Sequence, residues 1–269
     1  MNCLVARSQS FSKEGRLWQK VFLDAAVVAL SLLPASPCLA GWFLDLESGG
    51  AFAGYNDVQI PRDGGTRFSL TDDLKTDPAP FVRVRVGRLF GEKHHLSAFA
   101  APLRLSASGT TSKPIEFQGS SFPAGRALDA SYRFDSYRLT YRYRVFQSPS
   151  LQTWLGLTAK IRDAEVRLEN EETEVSKKNT GFVPLLAFAF QWRWSARVCG
   201  ILEGDALAGG PGRAEDLFAG VGLTAWPRVM IRGGYRILEG GADVEEAYNF
   251  ALIHYASLGL VLDLGCKSP

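Results

Sequence analysis

The sequence predicts an all-β fold, an antiparallel transmembrane β-barrel of ten strands, with eight and twelve as the alternative counts. Three observations predict it. The first is strict alternation. In Ser136-Tyr-Arg-Leu-Thr-Tyr-Arg-Tyr-Arg-Val145, Tyr137, Leu139, Tyr141, Tyr143 and Val145 fall on one face, and Arg138, Thr140, Arg142 and Arg144 on the other. The second is repetition: segment after segment does the same, and no helical pattern is present to cover an apolar sheet. The third is an N-terminal segment, 1–40, that reads as a signal peptide, leaving 41–269 as the barrel domain.

The signal reading rests on a basic stretch over 1–20, a mostly apolar stretch over 21–33, and Cys38 and Ala40 as small residues before a cleavage point. The apolar stretch is too short for an uncleaved anchor. Pro37 before Cys38 is a poor fit to a lipoprotein cleavage site. The whole chain carries 30 basic and 28 acidic residues; removing 1–40 takes away four and two, leaving 26 of each. A near-neutral mature chain argues against a nucleic-acid partner. The rest of the chain has no apolar stretch of helical spanning length, which excludes a helical membrane protein and leaves a barrel open.

Taken in order, the strands fall at 41–58, 79–90, 94–108, 131–146, 152–169, 180–194, 197–209, 216–226, 228–239 and 247–264. Most reach the roughly 9–11 residues that a tilted strand needs to cross a bilayer. Short turns at 91–93, 147–151, 195–196 and 227 alternate with generally longer connections at 59–78, 109–130, 170–179, 210–215 and 240–246. An even count with both termini on the short-turn side is the bacterial pattern.

Parity assigns the faces. The lipid face takes Trp42, Leu44 and Leu46; Val82, Val84 and Val86; Phe99, Leu103 and Leu105; Tyr137, Leu139 and Tyr141; Leu155, Leu157 and Ile161; Phe188, Phe190 and Trp192; Val198 and Leu202; Val221 and Leu223; Val229, Ile231 and Tyr235; Leu258, Leu260 and Leu262. No charge interrupts this set, and a Lys or Arg at the bilayer midplane would cost about 2–4 kcal/mol. Trp42, Tyr132, Tyr143, Trp192, Trp194, Trp226 and Tyr248 stand near strand ends, where aromatic girdles belong. The inward face takes Asp45, Glu47, Arg83, Arg85, Arg104, Arg138, Arg142, Arg144, Lys160, Arg162, Arg193, Glu203, Asp205, Asp216, Arg232, Arg236 and Asp263. From these, Arg83, Arg85, Arg138, Arg142, Lys160, Arg162, Glu203, Asp205, Arg232 and Arg236 are expected to form a charge network in a narrow lumen.

Catalytic and metal motifs are lacking, and no cofactor is implied. His94 and His95 stand at the first short turn as a solvated pair, since adjacent strand residues point to opposite faces. His254 falls on the lipid face by parity, with Ser257 three residues on and no partnered carboxylate. Cys199 and Cys266 make no disulfide framework and read as small buried or rim thiols. Acidic residues in the outer connections, such as Asp72, Glu171 and Asp243, show no calcium-loop spacing. Lys113, Arg126, Lys177, Lys178 and Arg213 are candidate contacts for lipopolysaccharide phosphates.

Several stretches carry a family likeness: Gly65-Thr-Arg-Phe-Ser-Leu-Thr-Asp-Asp-Leu74, Phe90-Gly-Glu-Lys-His-His-Leu96 and onward to Leu103, Gly181-Phe-Val-Pro-Leu185, and Gly212-Arg-Ala-Glu-Asp216. With them, the mature chain resembles small outer-membrane β-barrel proteins of Gram-negative bacteria, in an uncharacterised family. The resemblance implies the fold and a cell outer-membrane location, reached after secretion through the inner membrane; it implies no activity. The expected partners are outer-membrane lipid, lipopolysaccharide and the barrel-assembly machinery, although 265–269 lacks the aromatic end that commonly assists assembly. The sequence sets no oligomeric state. Function reads as a structural or surface-interaction role. The alternatives are a narrow anion-preferring channel or small-solute transporter and, third, a lipid-modifying enzyme centred on His254.

Overall fold

Residues whose neighbours alternate between apolar and charged satisfy both solvents only as strands, and a sheet with an apolar outside has no free edge only when it closes. The chain does this. The structure is a computed structural model that describes residues 41–209 and 212–265; the proposed signal segment, Cys266 and residues 210–211 lie outside the described residues. Ten strands form the wall: β1 (Trp42–Gln59), β2 (Ala79–Phe90), β3 (His94–Ala101, resumed as Arg104–Thr110), β4 (Ala127–Gln147), β5 (Leu151–Glu169), β6 (Glu174–Arg193), β7 (Val198–Gly209), β8 (Gly212–Trp226), β9 (Val229–Val244) and β10 (Ala247–Asp263).

Each strand pairs antiparallel with the next, and β1 pairs with β10 from Phe43↔Asp263 to Gln59↔Tyr248, which closes the ring. The sheet is thus a closed ten-stranded barrel, in line with the alternation and the even count. β3 breaks at Pro102, which has no N–H to give to the ladder; Leu103 and Phe134 exchange both backbone bonds across the kink, at 3.1 and 3.0 Å.

The strands run further toward the long-loop end than the alternation indicates. β4 begins at Ala127, β6 at Glu174 and β8 at Gly212, while β9 continues to Val244. Two of the five longer connections therefore shrink to tight turns, at 170–173 and 245–246. The reason is physical: above the apolar belt the outward residues become polar while inward ones such as Leu128, Val166 and Leu168 join an apolar core, so the apolar-out pattern ends although the ladder continues. The belt's upper limit is legible at the register line Ile161↔Phe182, since the next outward pair is Asp163↔Thr180.

The two long connections, 60–78 and 111–126, fold inward. They contribute Phe68, Leu70, Leu74, Ile115, Phe117 and Phe122 to an apolar core with Ala51, Val58, Phe81, Leu105, Leu128, Val166, Leu168, Ile253 and Tyr255 of the wall. Thr66 donates its backbone N–H to Glu116 (2.9 Å) and Gln118 to Ile60 (3.0 Å), which ties one connection to the other. Phe68 and Phe117 meet edge to face at 6.2 Å. A two-residue strand, Lys75–Thr76, pairs with Ser108 and Ala107 of β3. The upper lumen is thus plugged by the chain's own connections.

Candidate functional site: the lumen and the outer wall

Below the plug, the inward parity of six strands brings charges together. Six guanidiniums (Arg83, Arg85, Arg138, Arg142, Arg232 and Arg236) meet five carboxylates (Asp45, Glu47, Glu203, Asp205 and Asp216). Asp216, 1% exposed, accepts from Arg83 (3.0 Å), Arg138 (2.5 Å) and Arg236 (2.6 Å). Glu47 accepts from Arg232 and Arg236, both at 2.8 Å. Glu203 accepts from Arg232 (2.9 Å) and Arg85 (3.1 Å), and lies 3.6 Å from Arg142. Asp205 accepts from Arg138 (2.9 Å) and from the Thr158 hydroxyl (2.8 Å). Arg83 and Arg85 stand on β2 while Glu203 and Asp216 stand on β7 and β8, so these pairs cross the lumen. Phe99 and Phe218 lie under the guanidiniums: Phe99 is 5.0–5.7 Å from Arg83, Arg85 and Arg138, and Phe218 is 5.0 Å from both Arg232 and Arg236.

Eight of the ten residues expected in the network are brought together here. Lys160 and Arg162 share the inward face of β5 without joining: the Lys160 ammonium lies 5.1 Å from the Phe134 ring centroid, and Arg162 donates to Asn179. Asp45, Glu47 and Asp216 complete the cluster. Their inward parity was visible in the sequence, but their partners stand on strands far away in the chain.

Several face assignments are corrected. Phe99, Leu103, Leu105 and Tyr132 face the lumen and are buried, while the small Ala98 and the half-buried Ala100 turn outward. The upper lumen is apolar, so β3 has apolar residues on both faces and the larger side chains belong inside. Arg104 correspondingly faces outward, where it pairs with Asp135. Arg193 and Asp263 are exposed at the lower rim, and Arg144 lies 3.7 Å from Glu92. His95 is not solvated in a turn: it stacks on Phe43 at 5.0 Å inside the barrel, while His94 contacts the Tyr141 hydroxyl at 2.8 Å outside. His254 stands on the outer face bonded to Tyr235, with Ser257 turned into the lumen, so the two do not converge. The Cys199 thiol is buried and accepts from Gln191 at 3.2 Å. Among the described residues, no group of three or more His, Cys, Asp or Glu side chains is placed to hold a metal ion.

Above the apolar belt the outer wall carries ion pairs. On β4 and β5, Arg133 meets Asp163 (2.6 Å) and Glu165 (3.1 Å), beside the Arg104–Asp135 pair; Lys178 lies 3.8 Å from Glu165. Around β1 and β10, Arg62 pairs with Asp243 (2.7 Å), Arg67 with Asp57 (3.1 Å), and Arg213 with Glu239. The Arg67 guanidinium lies 4.2 Å from the Tyr248 ring centroid, beside an outward recess of about 440 Å³.

A closed ten-stranded antiparallel wall with an apolar belt around its outside and a charged, crossed lumen decides the fold. The chain is an outer-membrane-type β-barrel. It is similar to the outer-membrane protease OmpT of Escherichia coli, with a TM-score of 0.50 and 10% identity over 85% of this barrel's chain and 99% of the other. It is also similar to the translocator domain of the autotransporter NalP of Neisseria meningitidis (TM-score 0.42, 11% identity, 97% and 99% covered). A third likeness is to Neisserial surface protein A (TM-score 0.37, 13% identity, 83% and 97% covered). At these identities the likeness is one of fold. No protein-family model and no curated protein matches this barrel's sequence.

Proposed function

We propose that this barrel resides in the outer membrane of a Gram-negative cell, with its termini and short turns toward the periplasm, and serves a structural or surface-interaction role with lipopolysaccharide as its contact. The observation that carries this reading is the contrast between inside and outside. The lumen is filled by crossing ion pairs below and by folded connections above, while the outer wall just above the belt presents Arg104, Arg133 and Lys178 where lipid phosphates lie. Cations at that height make charge-assisted hydrogen bonds to phosphate. The filled lumen weighs against the narrow anion-preferring channel, and His254 without a convergent nucleophile weighs against the lipid-modifying enzyme.

The test is cell fractionation with heat-modifiable gel migration, followed by measurement of lipopolysaccharide retained by the purified barrel. Outer-membrane recovery is expected, with severalfold less retained lipopolysaccharide in Arg104→Glu/Arg133→Glu. Recovery in the soluble periplasm, or unchanged retention by the double variant, overturns the reading.

A further inference from the structure

Two seams of the wall are short. β2 and β3 pair only over 84–90 and 94–100, and there Lys75–Thr76 patches the gap above by pairing with β3. β6 and β7 pair only over 186–193 and 199–206. On its other side β6 pairs with β5 along its whole length, up to Glu174. Among the described residues no strand pairs with the β7-side edge of 174–185.

This uncovered edge begins inside the apolar belt. Phe182, 68% exposed, and Leu186 both face outward, and the belt ends only above the Ile161↔Phe182 line. Backbone groups left free at that depth need a hydrogen-bonding occupant. Pro184 removes one donor from the edge but leaves the rest.

The interior behind the gap is reached by solvent, unlike the opposite wall. Leu207 has inward parity with Asp205 yet is 42% exposed, and inward Asn179 is exposed, whereas inward Ile253 and Tyr255 are buried. The cations at this level also differ from the rest of the lumen. Lys160, Arg162 and Lys177 all face inward, opposite Val183, Gly181 and Val166 of the neighbouring strand. Among the described residues none has a carboxylate within ion-pair distance, although every guanidinium of the lower network does. The Arg162 Nε is buried with no partner. The Arg162 guanidinium packs directly over Gly181, where a Cβ would lie 3.3 Å from its Nη2.

The geometry points to a lateral binding cleft for an anionic acyl lipid of the outer leaflet. Its phosphate enters between β6 and β7 to meet Arg162 and Lys177, with Lys160 at the floor, and its acyl chains stay in the bilayer beside Phe182 and Leu186. The phosphate supplies acceptors both to the three cations and to the free N–H groups of the β6 edge. The cleft inference rests on the outer-membrane reading for its lipid source, but its site is separate from Arg104 and Arg133.

The test uses the full barrel, folded in a neutral detergent and titrated by native mass spectrometry with diphosphoryl lipid A, phosphatidylglycerol and phosphate-free diacylglycerol. Arg162→Gln/Lys177→Gln is expected to weaken binding of the phosphorylated lipids roughly tenfold or more. Leu207→Trp, which fills the cleft without changing charge, is expected to weaken it too. Lys93→Gln, in a turn at the opposite end, is expected to leave it unchanged. Binding of lipid A alone, of phosphatidylglycerol alone, or of both supports the cleft and names the source. Unchanged affinity in both cleft variants, each shown folded by heat-modifiable migration, overturns it, as does diacylglycerol binding as tight as that of phosphatidylglycerol. Because this assay needs no cell, a protein found in the soluble periplasm refutes the location and leaves the binding result standing.

Discussion

The lower and upper halves of this lumen solve the same problem with opposite chemistry. Below, six guanidiniums and five carboxylates fill the space by pairing across it. Above, Phe68, Phe117 and Phe122 of two connections fill it by apolar packing. The charged layer is built from strand residues whose inward direction is fixed by the wall. The apolar layer depends on connections that must themselves fold. An ion pair taken from water gains little net stability, yet leaving one partner alone is expensive. An apolar plug gains stability in proportion to the area it buries and loses it piecemeal. The lower layer should therefore be all-or-none and the upper layer divisible.

The largest effect expected is at Asp216. Asp216→Ala leaves Arg83, Arg138 and Arg236 short of an acceptor in a buried site, a loss at or above the upper end of about 3–5 kcal/mol. Urea unfolding in detergent measures it. Glu203→Ala and Asp205→Ala should follow, each with fewer close donors. If Asp216→Ala unfolds with the parent's midpoint, the lower layer is not a cooperative network.

Phe117→Ala comes next. Phe117 is fully buried, and truncating a buried Phe costs about 3–5 kcal/mol, but here much of the loss falls on the 111–126 connection. Faster limited proteolysis within 111–126 is expected, with a smaller shift in the barrel's unfolding midpoint than Asp216→Ala gives. A larger shift than that of Asp216→Ala would invert the comparison. A third measurement separates the layers by function. Replacing 112–124 with two glycines removes half the plug and leaves the crossing ion pairs, so planar-bilayer recordings should stay silent. Steady conductance would show that the plug alone seals the barrel.

The lower layer was legible in the sequence because Arg138, Arg142, Glu203, Asp205, Arg232 and Arg236 alternate with residues that must meet lipid. Where one face is charged and the other apolar, parity alone assigns direction. The upper layer was not legible, because an apolar lumen erases that contrast. Phe99, Leu103 and Leu105 then read as lipid-facing, and Arg104 as inward, although Phe99 is the ring under three guanidiniums. The connections at 60–78 and 111–126 read as loops, since Phe68, Leu70, Ile115 and Phe117 have no regular period to mark them as core. The cleft between β6 and β7 was hidden for another reason: strand pairing is a property of two segments, and 174–185 carries no local sign that pairing with β7 stops at Ala206.

The smallest effect sharpens the comparison most. Lys160 and Arg138 are cross-strand partners on the same inward face, both buried, yet only Arg138 meets carboxylates. Arg138→Met should cost about 3–5 kcal/mol, because Asp205 and Asp216 each lose a close donor in a site with little water. Lys160→Met removes a buried ammonium that lies beside the Phe134 ring and, among the described residues, has no carboxylate within ion-pair distance, and the thioether occupies similar volume. The lost cation–π contact, worth about 0.5–2 kcal/mol, is offset by the desolvation that the charge no longer incurs. Stability is therefore expected to stay within about 1 kcal/mol of the parent or to rise, while phosphorylated-lipid binding weakens. If Lys160→Met is as destabilising as Arg138→Met, Lys160 belongs to the structural layer and not to the cleft.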